Sequence, residues 1–257
     1  MIDIHCHIIP GVDDGPKTLE ESLEMARMAE AEGITKIIAT PHHQHPSFDN
    51  EGPGIVRKVE ELNVALQEAN IDITVFPAQE VRIHGEIIRN LELGDTLPLG
   101  VGSNYILVEL PTNSVPTYTT RLFYDLQMKG YTPIIAHPER NKAMIEDPNI
   151  LYELVKTGVL TQVTSSSVTG HLGKNIKKFS EQLLEANLTH FIASDAHNTT
   201  ERPFRLQEAY AVVEKQFGMN EVYRLKENAG NLLNNEFIQV LQPEPVKKKR
   251  RLFGLLK

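Results

Sequence analysis

Short apolar runs rich in β-forming residues recur along this chain, and segments of helical periodicity separate them. Most of the runs are apolar along nearly their whole length, which is typical of parallel strands that helices cover on both faces. The pattern predicts an α/β fold whose parallel sheet is either doubly wound or closed into a barrel. The seven predicted strands are Ile2–Ile8, Ile34–Thr40, Ile71–Pro77, Tyr105–Leu110, Thr132–His137, Val159–Thr164 and Phe191–Ser194.

Three segments between these runs have the apolar spacing of amphipathic helices. The first, in KTLEESLEMARMAEAEG, begins with a capping box made by Thr18 and Glu21. The same spacing predicts helices over Val115–Lys129 and Asn175–Ala186. The pattern of Val81–Gly102 is less regular and leaves open a hairpin or a short helix.

Length and composition favour one domain with no exported or membrane-embedded part. A chain of 257 residues is the usual size of a single α/β barrel. Its one cysteine excludes an intramolecular disulfide framework, and no apolar run approaches the roughly 20 residues that span a bilayer. Because the first residues are too polar for a signal peptide, we expect a cytoplasmic protein. We predict a β/α domain over residues 1–240 and a basic tail over residues 241–257.

The formal net charge of −8 argues against a general nucleic-acid-binding protein, because such proteins need a basic surface to displace counterions from phosphates. The C-terminus differs from the rest of the chain. Five consecutive basic residues, Lys247–Arg251, follow a Pro-rich break and precede the apolar sequence LFGLL. Two interpretations stay open for this tail: contact with an anionic membrane surface or an acidic partner, and a frayed, solvated terminus.

Nearly every predicted strand ends in a histidine, an aspartate or a glutamate. The carboxyl ends of the strands in a β/α barrel meet at one rim, where ligands far apart in sequence become neighbours. Burying so many carboxylates without a cation is costly, and a multinuclear metal site removes that cost. Imidazole and carboxylate ligands without thiolate suit manganese, iron or zinc. The residues concerned are His5, His7, His42, Glu80, Glu109, His137, Asp195 and His197.

The first pair of these residues, in MIDIHCHIIPGVDDG, has the spacing of a chelate. Residues i and i+2 of a strand point to the same side, so His5 and His7 share one face. A single pair of this kind is equally compatible with a merely polar strand face. Cys6 lies between them and points away. Cysteine-based tyrosine phosphatases use an arginine six positions after their cysteine, but Val12 stands there, so we expect Cys6 in the core.

Together these motifs resemble the polymerase-and-histidinol-phosphatase (PHP) family of metal-dependent phosphoesterases. The resemblance rests on HCH at the start, Asp14, ATPHH, Glu80, Glu109, AHPER and SDAH. It is greatest to the bacterial PHP-type protein tyrosine phosphatases of capsule and exopolysaccharide synthesis, and it extends over essentially the whole chain. The implied fold is a distorted seven-stranded β/α barrel, (β/α)7, of PHP type.

The resemblance also implies three divalent metal ions, with manganese expected before iron or zinc. One ion would take His5, His7, Glu80 and Asp195; a second would share Glu80 and add Glu109 and His137; a third would take Asp14, His42 and His197. Asp14 departs from the histidine that many family members have at this position, although the tyrosine phosphatase branch shares it.

The activity implied is hydrolysis of phosphotyrosine by a metal-activated water, and the expected partner is a bacterial tyrosine kinase that regulates polysaccharide synthesis. Arg140 follows a ligand strand, where its guanidinium could hold phosphate; a salt bridge with Glu139 is the alternative. Arg202 is the second catalytic candidate, and Arg205 is a weaker one. Phe48, in the long loop after the second strand, could contact a tyrosine ring.

Three other functions stay open at this point. A small-molecule phosphatase, such as a histidinol phosphatase, would use the same metals in a narrower pocket. A polymerase-associated exonuclease is disfavoured by the acidic charge. A non-catalytic scaffold that binds a kinase is disfavoured because the full set of expected ligands is present.

Overall fold

The computed structural model describes residues 1–100 and 102–247, and these ranges form a mixed α/β fold. Its strands are β1 (Ile2–Cys6), β2 (Lys36–Ala39), β3 (His42–His43), β4 (Thr74–Pro77), β5 (Glu80–Arg82), β6 (Tyr105–Glu109), β7 (Thr132–Ala136), β8 (Leu160–Thr164) and β9 (Phe191–Ala193). Its helices are α1 (Leu19–Ala31), α2 (Gly52–Glu68), α3 (Ile87–Leu93), α4 (Thr119–Met128), α5 (Lys142–Glu146), α6 (Asn149–Lys156), α7 (Ser165–Thr169), α8 (Lys174–Glu185), α9 (Leu206–Phe217) and α10 (Met219–Leu233).

The strands form two parallel sheets, ordered β1-β2-β4 and β3-β5-β6-β7-β8-β9. All seven predicted runs contain a strand, so the prediction of a parallel α/β fold is confirmed. Two further strands, β3 and β5, begin just after β2 and β4 end. The break before β3 contains Pro41, which has no N–H to donate to a neighbouring strand.

Hydrogen bonds also join β1 to the residues that follow β9. The N–H of Asp195 donates to the carbonyl of His5 at 2.8 Å, and the N–H of His7 donates to the carbonyl of Ala196 at 2.9 Å. Cys6 and Ala196 form an isolated parallel bridge. The first and last strands are therefore neighbours at their carboxyl ends. Cys6 is fully buried, as predicted.

Two clusters of buried apolar side chains form the core. The larger contains strand residues such as Val108 together with helix residues such as Leu62. The smaller takes alternate strand positions, including Leu107 and Ile134, together with Leu232 of α10. Successive residues of a strand thus pack in different cores, as expected for strands that are covered on both faces.

The predicted helices are present with small changes of length. At the start of α1, the N–H of Glu21 donates to Oγ1 of Thr18, and the Glu21 carboxylate accepts from the N–H of Thr18. This capping box satisfies two N–H groups that the helix itself leaves unpaired, and a cap of this kind contributes about 1 kcal/mol. The less regular segment 81–102 contains the end of β5 and the short helix α3.

After α10 the chain runs back along the body of the molecule. The N–H of Glu244 donates to the carbonyl of Ala186 at 2.9 Å, and Val246 packs against the core. From residue 248 onward the predicted basic tail lies outside the described residues. None of the helices within the described ranges is both long and apolar enough to cross a membrane.

Candidate metal centre

The carboxyl ends of the strands bring all nine predicted ligands into one cluster. His42 and Glu80 are the first residues of β3 and β5 and are direct partners in the ladder. Glu109 ends β6, while His137 and Asp195 follow β7 and β9. The pairing of parallel strands therefore places these side chains side by side, although His42 and Asp195 are 153 residues apart in the sequence.

The tightest group consists of four donor atoms on His5, His7, Glu80 and Asp195. Nε2 of His5 lies 3.3 Å from Nε2 of His7 and 3.4 Å from both Glu80 Oε2 and Asp195 Oδ1. Nε2 of His7 lies 3.3 Å from Glu80 Oε2 and 3.5 Å from Asp195 Oδ1. Each Nε2 atom therefore has the other imidazole nitrogen and two carboxylate oxygens within 3.5 Å, and the donor atoms of His5, His7 and Glu80 lie close enough together to hold one ion. These residues fit one divalent ion.

Glu80 extends this group toward the next residues. Its Oε1 lies 2.7 Å from Nε2 of His137, and its Oε2 lies 3.0 Å from Nδ1 of His42. Glu109 approaches the same imidazole, with Oε2 3.9 Å from Nδ1 of His42. Donor atoms of His42, Glu80 and Glu109 thus form one close group, while His137, expected beside Glu80 and Glu109, contacts the other oxygen of Glu80.

The expected third group is also brought together. Oδ1 of Asp14 lies 3.2 Å from Nε2 of His197 and 3.6 Å from Nε2 of His42. His7 joins them, because its donor atoms and those of the other three lie within 4.8 Å of one another. The imidazoles of His7 and His197 are stacked, with ring centroids 3.8 Å apart.

Several buried atoms of the cluster lack a hydrogen-bond partner in the described part of the chain. They are Nδ1 of His42, Oε2 of Glu80, Oε2 of Glu109, Oδ1 of Asp195 and Nε2 of His197. Leaving buried polar atoms unpaired costs free energy, so native proteins usually pair them or give them to an ion. Lone pairs of imidazole and carboxylate groups that converge in this way are the donor set of a transition-metal site.

Two residues that the sequence analysis did not predict hold the first two histidines in place. Nδ1 of His7 donates to Oδ2 of Asp13 at 2.7 Å, and Nδ1 of His5 donates to Oε1 of Gln162 at 2.8 Å. Asp13 also accepts from the N–H of His42 at 3.1 Å. With its proton held on Nδ1 by such a bond, each imidazole would offer Nε2 to a metal ion, the usual arrangement around a metal-bound histidine.

Both predicted catalytic arginines reach the cluster. Nη2 of Arg140 lies 2.8 Å from Oδ2 of Asp195, and Nη2 of Arg202 lies 3.0 Å from the same oxygen. Arg202 also approaches Asp14, at 3.5 Å. Glu139 does not pair with Arg140, since its buried carboxylate accepts from the N–H of Thr164 and the hydroxyl of Ser167 instead.

Two further arginines, Arg205 and Arg82, differ in their contacts with the cluster. Arg205, the weaker candidate, faces Glu208 at 3.4 Å. Arg82 was not predicted, yet its Nη1 lies 3.0 Å from Oε2 of Glu109, because the two residues are partners in the ladder of β5 and β6. Arg82 therefore adds a third cation to the cluster.

Charge and burial shift the pKa values of these groups in opposite directions. Burial alone would raise the pKa of Asp195, but Arg140 and Arg202 hold it well below its usual range. Burial, with help from Arg140, lowers the pKa of His137 to about 4. Burial and the neighbouring Glu80 raise the pKa of Glu109. For His5, His7 and His42 the neighbouring carboxylates outweigh burial and raise the pKa, to about 10 for His7, so metal binding at these imidazoles would release protons.

Two of these residues have an unusual backbone conformation. His137 and Asp195 have φ angles of 35° and 53°, in the left-handed region that residues other than glycine rarely adopt. His137 directly follows β7 and Asp195 lies two residues after the end of β9, so each turn redirects a side chain toward the cluster. Strain of this kind costs about 1–3 kcal/mol and is concentrated at functional sites.

Two cavities open beside the cluster. One, of about 250 Å³, is lined by Glu109, Thr112, His137, Arg140 and Asn141, among others. The other, of about 340 Å³, is lined by Asp14, Lys17, Glu21, Glu24 and His197, among others. The cluster is therefore reached from two sides, one bounded by a guanidinium and the other by carboxylates.

The loop after β3 brings an aromatic side chain to the same place. The Phe48 ring lies 5.9 Å from that of His42, with 7° between their planes, and His45 stacks on both. Asn50 fixes the end of this loop, since its amide donates to the carbonyls of Val12 and His42. Phe48 remains partly exposed at the edge of the cluster.

Comparison with known proteins identifies the family. Residues 1–234 match the model of the family described as capsular polysaccharide synthesis, CpsB/CapC. The chain belongs to the CpsB/CapC family. The resemblance found in the motifs, to capsular-type PHP tyrosine phosphatases, is confirmed.

Members of the CpsB/CapC family resemble the chain over its whole length. It is 50% identical to the tyrosine-protein phosphatase YwqE of Bacillus subtilis over 254 residues, which cover 99% of both chains. It is 40% identical over 256 residues to the putative tyrosine-protein phosphatase CapC of Staphylococcus aureus, with complete coverage of both.

A solved structure of this family superposes closely on the chain. It comes from the crystal structures of YwqE from Bacillus subtilis and CpsB from Streptococcus pneumoniae, described as unique metal-dependent tyrosine phosphatases; the TM-score is 0.94 at 49% identity, covering 96% of this chain and 100% of the other. An organophosphorus hydrolase from Deinococcus radiodurans shares only the fold, with a TM-score of 0.52 at 13% identity.

Proposed function

We propose that this CpsB/CapC protein is a metal-dependent tyrosine-protein phosphatase, a phosphoric monoester hydrolase. The observation that carries the proposal is the convergence of carboxylate oxygens on the Nε2 atoms of His5 and His7, which are 3.3 Å apart. Oε2 of Glu80 and Oδ1 of Asp195 each lie 3.3–3.5 Å from both nitrogens. Relatives that match nearly the whole chain are named tyrosine-protein phosphatases, and a related structure is described as metal-dependent.

The proposal gives the nine predicted ligands to three divalent ions, with manganese expected before iron or zinc. The three groups of donor atoms described above, which share His7, His42 and Glu80, support more than one ion. Divalent ions at such a site lower the pKa of a bound water and neutralise charge on phosphate oxygens. Loss of any ligand would leave the remaining buried carboxylates uncompensated.

Arg140 and Arg202 bind the phosphate in this proposal. Both guanidinium groups lie against Oδ2 of Asp195, at the mouth of the cluster. A guanidinium carries its charge at any physiological pH and matches two phosphate oxygens at once. The two arginines would therefore orient the phosphate and stabilise the charge that develops on its oxygens during hydrolysis.

Phe48 receives the aromatic ring of the substrate. Its ring is partly exposed and stands beside the imidazole of His42 at the edge of the cluster. An aromatic side chain favours an aryl group by stacking or edge contact, worth about 0.5–1.5 kcal/mol. This position supports phosphotyrosine rather than an alkyl phosphate as the preferred substrate.

The proposal extends to fold, partner and location. We take the two sheets and the bonds between β1 and the end of β9 as parts of one distorted (β/α)7 barrel of PHP type, with residues 1–240 as the catalytic domain and 241–257 as the basic tail. The expected substrate is a phosphorylated bacterial tyrosine kinase that regulates capsule or exopolysaccharide synthesis, in line with the family description. A cytoplasmic enzyme whose tail contacts an anionic membrane would meet such a kinase.

The experiment that tests the proposal measures phosphate release by metal-stripped protein reloaded with manganese. A phosphotyrosine peptide is compared with histidinol phosphate, and His7→Ala is compared with the exposed control His171→Ala. We expect preference for the peptide, loss of activity in His7→Ala and full activity in His171→Ala. Preference for histidinol phosphate would move the function to small-molecule metabolism, and no hydrolysis of either would favour a scaffold.

A further inference from the structure

Four exposed or half-exposed lysines lie on α5 and α8, two helices that contact the turn carrying Arg140. We call them the rim basic patch: Lys142 on α5, and Lys174, Lys177 and Lys178 on α8. The patch is unexpected on a chain whose formal net charge is −8.

The fold fixes the patch next to the catalytic rim. Lys142 follows Asn141, which lines the cavity, and the Lys142 N–H donates to the carbonyl of Thr112 in the same lining. Helix α8 packs against the turn Pro138–Arg140 that carries the predicted phosphate ligand. Lys142 therefore lies two residues after Arg140, and α8 packs against the turn that carries Arg140.

The charges of the patch are available to a partner. Nζ of Lys177 donates to the carbonyl of Thr169 at 3.5 Å, but in the part of the chain that the structure describes no carboxylate lies within 4.0 Å of any of the four ammonium groups. Lys174, Lys177 and Lys178 are three and four residues apart, so they share one face of α8. The next carboxylate along the helix, Glu181, faces Gln216 at 3.2 Å instead.

The opposite side of the rim has the other charge. The cavity beside Asp14 is bounded by Glu21 and Glu24 of α1, both exposed, and the ammonium of Lys17 in its lining donates to the carbonyl of Asp13. A peptide that crosses the rim thus meets positive charge on the β7–β8 side and negative charge on the β1 side. Such complementarity selects partners by charge and speeds their association.

We propose that the rim basic patch binds an acidic segment next to the phosphotyrosine of a protein substrate. The inference rests on the proposed function and specifies its substrate class. Peptides with glutamate or aspartate beside the phosphotyrosine would be preferred over neutral peptides of equal length. The preference would weaken in high salt, because the contacts are exposed to solvent.

The test compares two phosphotyrosine peptides of equal length, one with glutamates and one with glutamines beside the tyrosine. The manganese-loaded full chain is assayed as wild type, as Lys174→Glu/Lys178→Glu, and as Lys36→Glu/Lys215→Glu. The last pair is a charge-matched control: Lys36 begins β2, at the opposite end of the strands, and Lys215 lies in the last turn of α9. Hydrolysis of p-nitrophenyl phosphate, which has no acidic segment, measures the proposed phosphatase activity independently of the patch.

For wild type and the control we expect kcat/KM about five- to tenfold higher for the acidic peptide at low salt. The ratio should fall to one or below in Lys174→Glu/Lys178→Glu and be restored in Lys174→Arg/Lys178→Arg. Equal hydrolysis of the two peptides by wild type, or an unchanged ratio in the patch variant, would overturn the inference. Binding to phosphatidylserine vesicles is measured for the same proteins. If Lys174→Glu/Lys178→Glu lost vesicle binding but kept the peptide ratio, the patch would be a membrane contact and the inference would be overturned. No release from p-nitrophenyl phosphate or either peptide would instead refute the proposed function.

Discussion

Oδ2 of Asp13 lies 2.7 Å from Nδ1 of His7, whose Nε2 points the other way, toward Glu80 and Asp195. The ion pair lowers the pKa of Asp13 to about 2 despite burial, so its carboxylate is ionised at neutral pH. A carboxylate behind a ligating imidazole fixes the ring and makes its other nitrogen a better donor. Asp13 therefore acts as a positioning residue for His7.

Replacing Asp13 should weaken metal binding without removing a ligand. We expect Asp13→Ala to bind manganese about 10- to 100-fold more weakly, with Asp13→Asn in between because its amide oxygen still accepts from His7. Titration calorimetry on metal-stripped protein measures the affinity, and Asp125→Asn, which changes an exposed carboxylate on α4, is the matched control. Unchanged affinity in Asp13→Ala would contradict the role.

Replacing Arg140 or Arg202 should weaken catalysis on phosphate esters without changing the amount of bound metal. We expect Arg140→Lys and Arg202→Lys each to lower kcat/KM on a phosphotyrosine peptide by about 10- to 100-fold. Lysine keeps the positive charge but cannot form the bidentate hydrogen bonds of a guanidinium to two phosphate oxygens. Metal content, measured by mass spectrometry, should stay at the wild-type level. Arg121→Lys, on the exposed face of α4, is the control, and full activity in both site variants would refute the assignment.

Phe48 should influence the choice of substrate. We expect Phe48→Ala to reduce kcat/KM about tenfold on aryl phosphates and much less on alkyl phosphates, while Phe48→Tyr keeps the preference. The measurement is the ratio of the two rates, with Phe237→Ala as a control at a side chain that is 86% exposed. An equal loss on both substrates would mean that Phe48 only supports the ring of His42.

His190 should make the fold sensitive to acid. Burial, with a smaller effect of Arg224, lowers its pKa from 6.5 to about 3. In the unfolded chain this imidazole binds a proton below about pH 6.5, whereas in the folded protein it binds one only below about pH 3. The free energy of unfolding therefore decreases as the pH falls between these two values. The slope for one proton is about 1.4 kcal/mol per pH unit.

The variant His190→Asn tests this slope. Asparagine can still accept the hydrogen bond from the N–H of Thr161 but does not titrate. Urea unfolding between pH 4 and 7 should show a decline in the free energy of unfolding that is shallower than wild type by about that one-proton slope. The exposed His171→Asn should leave the slope as it is, and equal slopes for wild type and His190→Asn would contradict the prediction.

The order of elements and the cluster at the strand ends could be predicted because both follow from local patterns. Apolar runs separated by helical segments indicate parallel strands, and parallel strands must bring their carboxyl ends together. His137 and Asp195 could thus be placed in one site although they stand far apart in the sequence. Their left-handed backbone could not be foreseen, since nothing in AHPER or SDAH marks a turn.

The residues that were missed depend on pairing between distant segments. Gln162 stands inside an apolar strand, and only its position opposite His5 gives it a role. Arg82 reaches Glu109 because of the register of β5 against β6, which the sequence does not fix. Asp13 is different, because it stands next to the predicted ligand Asp14 in the motif DDG. Its place in the site could therefore have been considered from the sequence.

The left-handed backbone at Asp195 has a practical consequence for finding what the enzyme acts on. Asparagine tolerates this conformation better than most residues and has nearly the shape of aspartate, so Asp195→Asn would keep the turn while it removes one negative charge from the core of the cluster. An enzyme altered in that way would still offer Arg140 and Arg202 to a phosphate but turn it over slowly. Immobilised on a column, the Asp195→Asn variant would retain phosphorylated substrate proteins long enough for them to be identified.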